Sequence, residues 1–320
     1  MKKNLFYAAA LTALFAACDN DIKNEGPDFG EPVMMNVTAQ ISNVQTRASG
    51  TTWTSGDKIG ISGTTGATAY DNVLYSTTEG DGNFTIVEEE GNSPIYFQSN
   101  EAATFTAYYP YSEGTEAITA DTREQANQSE FDFLYAEYTV NEPKKDPTAK
   151  FQFSHRMSQL VLNVKAGNDV NSDHIKTAQC ALSNHIYDGT FNRTKGTANA
   201  LPTESGMKAA NWIFANNTEN ADYNAPYSET TGAEGNAHTY TLILFPQTVK
   251  NGAVFSITID GNTFNAQLKT KDAEDLTLGV GLKYIYNITV NKTNLDISKA
   301  TIQSWGDGNG ADGDNVDAVM

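Results

Sequence analysis

The first group in the sequence that could carry covalent chemistry is the thiol of Cys18. A basic start at residues 2–3 and an apolar run over residues 5–17 precede it, and small residues lie directly before the cysteine. The run is too short to span a bilayer, so the pattern predicts a signal peptide over residues 1–17, cleaved before Cys18. Cleavage would leave the thiol free for acylation and make the protein a lipoprotein. Phe15 is bulkier than a lipobox normally has at its position, so an ordinary signal peptide with an incidental cysteine is the alternative.

Other residue patterns that could support catalysis or metal binding are incomplete. Acidic and amide side chains recur over residues 307–314, but the central glycine and the final glutamate of an EF-hand loop are missing. The histidines lack the spacing of a zinc site: His155, His174, His185 and His238. The acidic run 88–90 precedes a glycine, as in a solvated turn, and the sequence has no P-loop, dinucleotide fingerprint or serine-nucleophile motif. We therefore predict no catalytic residues, no cofactor and no metal ligands.

The charge and cysteine content of the chain restrict its partners and its means of stabilisation. The formal net charge is −18, and removal of residues 1–17 deletes two lysines and no acids, which gives −20. Because nucleic-acid affinity depends on Lys and Arg neutralising phosphate, we predict no nucleic-acid partner. No later apolar run has the length of a membrane helix, so a lipid on Cys18 would be the membrane anchor. Only Cys180 remains beside it, so the fold must depend on buried apolar side chains rather than on a disulfide within the mature chain.

Alternation of apolar and polar residues dominates the rest of the sequence and predicts an all-β fold. Between residues 33 and 41 every second residue is apolar: Val33, Met35, Val37, Ala39 and Ile41. Similar short runs recur along the chain: 105–109, 242–245, 254–259 and 284–290. The dipeptide Asp260-Gly261 predicts a hairpin turn. Strands of this length and spacing favour β-sandwiches.

A polar segment with two prolines, residues 141–150, predicts a boundary between two domains. The predicted parts are a lipidated tether over 18–32, a first sandwich over 33–145, a second sandwich over 150–305 and a flexible acidic tail over 306–320. Phe151 would open the first strand of the second sandwich, and a change of apolar phase predicts a β-bulge near residues 158–159. His155 lies on the apolar face of that strand, where a hydrogen-bonded core histidine is expected. Residues 216–238 are polar and predict a long loop.

Six fragments occur along the chain in the following order: Trp53-x-x-Gly56-Asp57-x-Ile59-Gly60-Ile61, shortly after Thr46-Arg47-Ala48; Ala107-Tyr108-Tyr109-Pro110-Tyr111; Phe151-x-Phe153-x-His155 with Leu160 to Val164; Leu244-Phe245-Pro246-Gln247; Gly281-x-Lys283-Tyr284-x-Tyr286-x-Ile288-Thr289-Val290; and Ile302-x-x-Trp305. Together with the lipobox they resemble the fimbrillin family, the lipoprotein pilins of gut and oral Gram-negative anaerobes. The resemblance covers residues 18–305. The acidic residues directly after Cys18 are similar to the surface-export signal of the same bacteria.

This resemblance implies two tandem transthyretin-like β-sandwich domains of seven strands each. It also implies a fimbrial subunit, tip or anchor component that serves cell adhesion as a surface lipoprotein of the outer membrane and, after processing, as part of the fimbrium. Its partners would be other fimbrillin subunits, joined by β-strand addition, and a receptor that the sequence does not identify.

The resemblance further implies cleavage after an arginine behind the first strand, which corresponds to Arg47 here. The surrounding residues 43–50 are polar, as is typical of a loop that a protease can enter. Cleavage would release residues 18–47, including the strand 33–41. Burial of that strand would contribute roughly 5 to 10 kcal/mol as an upper bound. An ordinary exposed arginine is the alternative interpretation of Arg47.

The tail and a tyrosine cluster leave two further questions open. Residues 306–314 are rich in Gly and Asp, which disfavour strands. Only Val316, Ala318 and Met320, or Val319 in the other phase, could fill pockets in a neighbouring subunit, so a stalk subunit, a terminal subunit and a solitary surface lipoprotein are all compatible with the sequence. The tyrosines at 108, 109 and 111 could instead form an aromatic platform for a glycan.

Acylation of Cys18 gives a direct test of the lipobox. We expect incorporation of a radiolabelled fatty acid into the wild-type protein and none into Cys18→Ala, because the variant has no thiol to acylate. Equal labelling of the two proteins would contradict the lipobox interpretation.

Overall fold

The computed structural model describes residues 31–42, 52–114, 116–123, 125–176, 178–200, 202–203, 206–207, 211–215, 227–230, 237–270, 275–297 and 301–305. Several predicted features lie outside these residues: the signal peptide, Cys18, Arg47 and the tail 306–320. Among the described residues, none of the helices has the length and apolar character needed to cross a membrane.

The strands of the first half are short and irregularly spaced: β1 Val33–Met34, β2 Asn36–Ile41, β3 Lys58–Thr65, β4 Thr68–Ser76, β5 Asn83–Ile86, β6 Tyr96–Phe97, β7 Ala103–Tyr109, β8 Ala117–Asp121, β9 Leu134–Val140 and β10 Thr148–His155. A 3₁₀ segment, Gln125–Glu130, lies between β8 and β9. Seven strands pair in the closed order β10–β2–β5–β4–β3–β7–β9. Strands β1 and β6 form a separate pair.

The core of the first half lies inside this closed set of strands, because alternate residues of each strand face inward. Along β2 and the residue before it, the predicted alternation is confirmed from Met35 to Ile41, while Val33 is half-buried. The inward side chains of the other strands include Ile59, Ile61, Tyr75, Phe84, Phe105, Ala136, Phe151 and Phe153.

The second half begins with β11 Ser158–Ala166 and α1 Ser172–Lys176. Its remaining strands are β12 Gln179–Ser183, β13 Asp188–Asn192, β14 Thr197–Ala200, β15 Pro202–Thr203, β16 Gly206–Met207, β17 Asn211–Ala215, β18 Tyr227–Thr230, β19 Ala237–Leu244, β20 Gln247–Val249, β21 Ala253–Ile259, β22 Asn262–Leu268, β23 Leu276–Leu278, β24 Leu282–Val290, β25 Leu295–Ile297 and β26 Thr301–Ser304.

Two sheets enclose the core of the second half. One has the order β18–β19–β11–β24–β25, with β26 also paired to β24, and the other has the order β17–β12–β21–β22. Buried side chains from both sheets meet between them, including Leu162, Leu182, Phe255, Ile257 and Tyr286. The predicted all-β class with two β-sandwich domains is thereby confirmed.

Local turn chemistry accounts for the β21–β22 hairpin. Asp260 and Gly261 have φ values of +50° and +78°. Positive φ at both central residues defines the two-residue turn whose twist matches antiparallel strands, and this confirms the predicted hairpin.

The strand at Phe151 lies in a different place from the one that the sequence predicted. Strand β10 pairs in parallel with β2 and in antiparallel fashion with β9, so it belongs to the closed sheet of seven strands in the first half, called the first sheet below. The segment 141–147 therefore connects two strands of that sheet rather than two domains.

The predicted bulge at 158–159 is also wrong, because the change of apolar phase marks the passage from β10 into β11. In the segment expected to be a loop, β18 is a strand that pairs with β19.

The two halves are joined by a third cluster of buried side chains. Phe133 from the first half stacks on Phe191 from the second, with ring centroids 4.6 Å apart. Strand β8 pairs with β13 across the same junction. Arg193 donates two hydrogen bonds to the carboxylate of Asp71, at 2.9 and 3.0 Å, which holds the pKa of that carboxyl below its usual value. Apolar packing, strand pairing and an ion pair thus connect the halves.

A glutamine of the 3₁₀ segment completes the edge of a strand in the other half. Gln125 is fully buried, and its Nε2 donates to the carbonyl oxygen of Ile243 at 2.8 Å. The amide nitrogen of Ile243 donates to Gln125 Oε1 at 2.8 Å. The pairing of β18 with β19 ends at Tyr240, so the glutamine amide satisfies backbone groups of β19 beyond the end of β18.

We expect Gln125→Ala to lower the free energy of unfolding by about 2 to 4 kcal/mol, because two buried backbone groups of Ile243 lose their partner. Urea denaturation would measure the change. Asn127→Ala, on the exposed side of the same segment, serves as the control and should have little effect. Equal effects of the two variants would contradict the assigned role.

Candidate strand-exchange groove

Strand β2 is an interior strand of the first sheet, with partners on both sides. Its six residues pair in parallel with Thr148–Phe153 of β10. On the other side Val37 and Thr38 pair with Phe84 and Asn83 of β5. Removal of β2 would therefore expose backbone groups along two neighbouring strands. We call the space between β10 and β5 the groove.

Further backbone hydrogen bonds fix the position of β2 along the groove. Met35 N donates to Ile95 O at 2.9 Å, and Asn36 N donates to Pro147 O at 3.0 Å. At the other end Ser42 N donates to Phe153 O at 2.7 Å. Since these contacts involve only main-chain atoms, any extended segment with an amide at each position could make them.

The inward side chains of β2 and of Met35, the residue directly before it, fill the groove. Met35, Val37 and Ile41 are 2, 4 and 5% exposed, and Ala39 is 1% exposed. Burial of the three larger side chains stabilises the sheet by roughly 5 to 9 kcal/mol, an upper estimate because unfolded chains are partly collapsed. This is comparable to the total stability of a typical domain.

Trp53, which follows Arg47 in the sequence, contacts the middle of β2. Its indole Nε1 donates to the carbonyl oxygen of Ala39 at 2.8 Å. Its ring packs edge-on against Phe84, Tyr109 and Phe153, with centroid distances of 5.0, 5.5 and 5.2 Å. The tryptophan of the first family fragment is therefore part of the groove.

Gly82 brings a loop close to the same strand. Ala39 N donates to Gly82 O at 2.8 Å. Gly82 has a φ of +87°, and a Cβ atom there would lie 2.5 Å from the carbonyl oxygen of Ala39. Both the backbone conformation and the close approach require glycine. The sequence analysis did not identify this residue, although the Gly-Asp-Gly turn around it marks a special backbone.

A cavity of about 180 Å³ lies where β2 leaves the groove. Its apolar lining includes Ile41, Trp53 and Leu134, and Asp57 lies on its wall. The hydroxyl of Tyr109 donates to Asp57 Oδ1 at 3.3 Å. Burial, together with the nearby carboxylate, raises the pKa of Tyr109. The residues between Ser42 and Thr52, including Arg47, lie outside the described part of the chain.

The tyrosines considered as a glycan platform do not form one surface. Tyr108 is buried in the third cluster, and its hydroxyl donates to Asn72 Oδ1 at 2.8 Å. Tyr109 packs against Trp53 in the first core. Tyr111 lines an open cavity of about 620 Å³ together with Tyr70 and glutamates 89, 90 and 113. The acidic run 88–90 is exposed, as predicted.

The histidines lie in separate environments. His155 is a core residue, as predicted: its Nδ1 lies 2.8 Å from Asp132 Oδ1, and its ring stacks on Trp305 at 3.9 Å. Burial lowers the pKa of His185 to about 3, so that histidine is neutral at physiological pH. Within the described residues, no group of three or more His, Cys, Asp or Glu side chains could hold a metal ion.

Comparison with known proteins gives the same fold. A solved structure of a candidate cell-adhesion protein from Bacteroides ovatus is 25% identical, with a TM-score of 0.67 over 86% of this chain and 99% of its own. A second such structure, from Bacteroides uniformis, is 24% identical, with a TM-score of 0.64 over 86% of this chain and 98% of its own. A candidate fimbrium subunit of Bacteroides uniformis, Fim1C, is 26% identical over 97% of both chains.

The fold and these relatives define a bacterial protein of the fimbrial and cell-adhesion class. The family model of fimbrillin-like proteins matches residues 46–305. The chain belongs to this fimbrillin-like family, and the resemblance stated from the sequence fragments is confirmed.

Val37 provides a test of β2 as a core strand. We expect Val37→Asp to lower the free energy of unfolding of the uncleaved protein by about 3 to 5 kcal/mol, because the new carboxylate would be buried without a partner. Denaturant unfolding would measure this change. Thr38→Asp introduces the same carboxylate on the outer face and should change stability little; a similar loss in both variants would show that inward burial is not the cause.

Proposed function

We propose that this protein is a fimbrial subunit exported as a surface lipoprotein on Cys18. In this proposal β2 fills the groove of its own chain until cleavage after Arg47, and a strand of another subunit then replaces it. The observation that carries the proposal is the position of β2. It is an interior strand with partners on both sides that ends a few residues before Arg47, while Trp53 and the rest of the groove follow the cleavage position.

Cleavage would leave the contacts of β2 in place but remove its covalent connection to the groove, so β2 would be bound less firmly. While the chain is intact, β2 is tethered to its groove, and the tether gives it a high effective concentration. After cleavage, residues 18–47 are a separate peptide that can dissociate. The exposed strand edges and the apolar groove would then favour pairing with an extended segment from a neighbour.

The proposed role in the fibre is structural. The partners are other fimbrillin subunits and, at the cell, the outer membrane through the lipid of Cys18. The contacts described above are packing and strand-pairing contacts, which suit an adhesive surface fibre rather than an enzyme.

Arg47→Ala tests the processing step. We expect this variant to remain an uncleaved, monomeric lipoprotein, because the retained strand keeps the groove filled. N-terminal sequencing of protein shed from cells and electrophoresis under mild denaturing conditions would report cleavage and multimers. Thr46→Ala, the matched control in the same segment, should be processed and assembled like the wild type. As many fimbriae on Arg47→Ala cells as on wild-type cells would contradict the proposal.

A further inference from the structure

The directions of the parallel strands show which end of each half lies at the junction. Strand β10 ends at His155, which stacks on Trp305 in the junction cluster. Because β2 runs parallel to β10, Asn36 lies at the end of the first half that is remote from the junction. Strand β11 starts directly after the junction, and β24 runs parallel to it. The loops that follow Ala166 and Val290 therefore lie at the far end of the second half, which we call the distal end.

A cavity of about 260 Å³ lies between the loops of the distal end. Its lining comes from the segment between β11 and α1, from the β21–β22 turn and from the residues that follow β24. Pockets for drug-sized ligands have volumes of about 300 to 1,000 Å³. This slightly smaller cavity suits a ligand group of the size of one sugar ring.

The floor of the cavity is apolar. Ile259 and Val290, which belong to the two different sheets of the second sandwich, are 9 and 0% exposed. Phe264 in β22 also lines the cavity and is half-buried, so part of its ring is open to a ligand. An apolar floor with an aromatic ring can pack against the C–H face of a sugar.

The rim of the cavity carries amide side chains that can bond to hydroxyl groups. Asn262 is exposed, and its amide makes no hydrogen bond to another residue that the structure describes. Oδ1 of Asn171 accepts a hydrogen bond from the amide nitrogen of Asp173 at 3.0 Å, which leaves its Nδ2 as a donor for a ligand. An amide presents a donor and an acceptor side by side, and two neighbouring hydroxyls of a sugar match both.

The third asparagine of the rim is held in a fixed position. Nδ2 of Asn291 donates to Asp296 Oδ2 at 2.5 Å. A Cβ atom on Gly167 would lie 2.2 Å from Asn291 Oδ1, so a larger residue at 167 would displace this side chain. Because a group that is already ordered loses little conformational entropy on binding, this arrangement favours affinity.

The charged groups of the rim nearly balance one another. Two carboxylates, those of Asp169 and Asp260, and the ammonium group of Lys292 line the cavity. Asp260 Oδ2 also lies 2.9 Å from Nδ1 of His174. Since the chain as a whole has a formal net charge of −18, its field repels anions. The rim therefore favours a neutral ligand over an anionic one.

We propose that this distal cavity binds a neutral sugar at the end of a glycan chain. The C–H face of the sugar lies on Phe264, and its hydroxyls bond to the amides of Asn171, Asn262 and Asn291. This inference goes beyond strand exchange and does not depend on it, because the groove lies in the first half and the cavity in the second.

The position of the cavity suits contact with another surface. In a lipoprotein anchored at Cys18, the anchor precedes β2 and therefore joins the first half at the end remote from the junction. The cavity lies at the distal end of the second half, so both halves separate it from the anchor. It therefore faces away from the membrane.

A glycan array, followed by competition with free methyl glycosides, tests the class of ligand. We expect the uncleaved protein to bind glycans that end in a neutral hexose, deoxyhexose or N-acetylhexosamine, and the matching methyl glycoside to compete. Arg47→Ala should bind like the wild type, since the groove is not involved. Binding confined to sialylated or sulfated glycans, or no binding to any glycan with a neutral end, would overturn the inference.

Two asparagines of β22 provide a matched pair of variants. Asn262→Ala removes an amide from the rim, and we expect the affinity for the selected methyl glycoside to fall roughly fivefold or more. Asn265→Ala removes the same group from the exposed outer face of the strand and should bind like the wild type. Both variants should keep the wild-type thermal midpoint. Equal affinities of the two variants would show that the sugar does not bind in this cavity.

Phe264→Leu tests the aromatic part of the floor. Leucine keeps an apolar side chain against the core but removes the ring, so the affinity should fall roughly tenfold. Circular dichroism and the thermal midpoint would show that the variant is folded. Wild-type affinity in the folded variant would contradict the packing of the sugar on this ring.

Discussion

The pairing of β2 with β10 and β5 is the constraint on which the first half depends. Two neighbouring strands present backbone donors and acceptors to the groove, and those groups need a partner once water is excluded. The closed set of seven strands is complete only when a segment lies there. The contacts that hold this segment are mostly main-chain contacts, so the sheet requires a strand but not one particular sequence.

The choice of segment that fits the groove is restricted only where other residues come close to the backbone of that segment. Trp53 and Gly82 both approach the backbone at Ala39, one through a hydrogen bond and the other through a close contact. The junction between the halves follows the same logic, since Gln125 satisfies the backbone of Ile243 with a side-chain amide. Trp53 and Gln125 thus each complete, with one side chain, a backbone pairing that a strand would otherwise supply.

Much of this arrangement could be predicted from local sequence, and the rest depends on residues far apart in the chain. The alternation from Met35 to Ile41 identified an inward face because only one face of β2 is buried. The Asp260-Gly261 turn was equally local. The placement of β10 was missed, because the proline-containing segment before it reads as a linker and its parallel partner is more than 100 residues earlier. The bonds of Gln125 span 118 residues and leave no local signal. The aromatic rings that contact Trp53 likewise come from three different strands.

The stacking of His155 on Trp305 has a mechanical consequence. The ring of Trp305 contacts the last residue of β10, and β26, which ends directly before Trp305, pairs with β24. Strand β24 pairs in turn with β11, the strand that follows β10 in the chain. Trp305 is therefore held to the first half by one aromatic stack and to the second half by a series of strand pairs. A pull on Trp305 would load both halves at once, and the strand pairs of the second sandwich would bear most of the force.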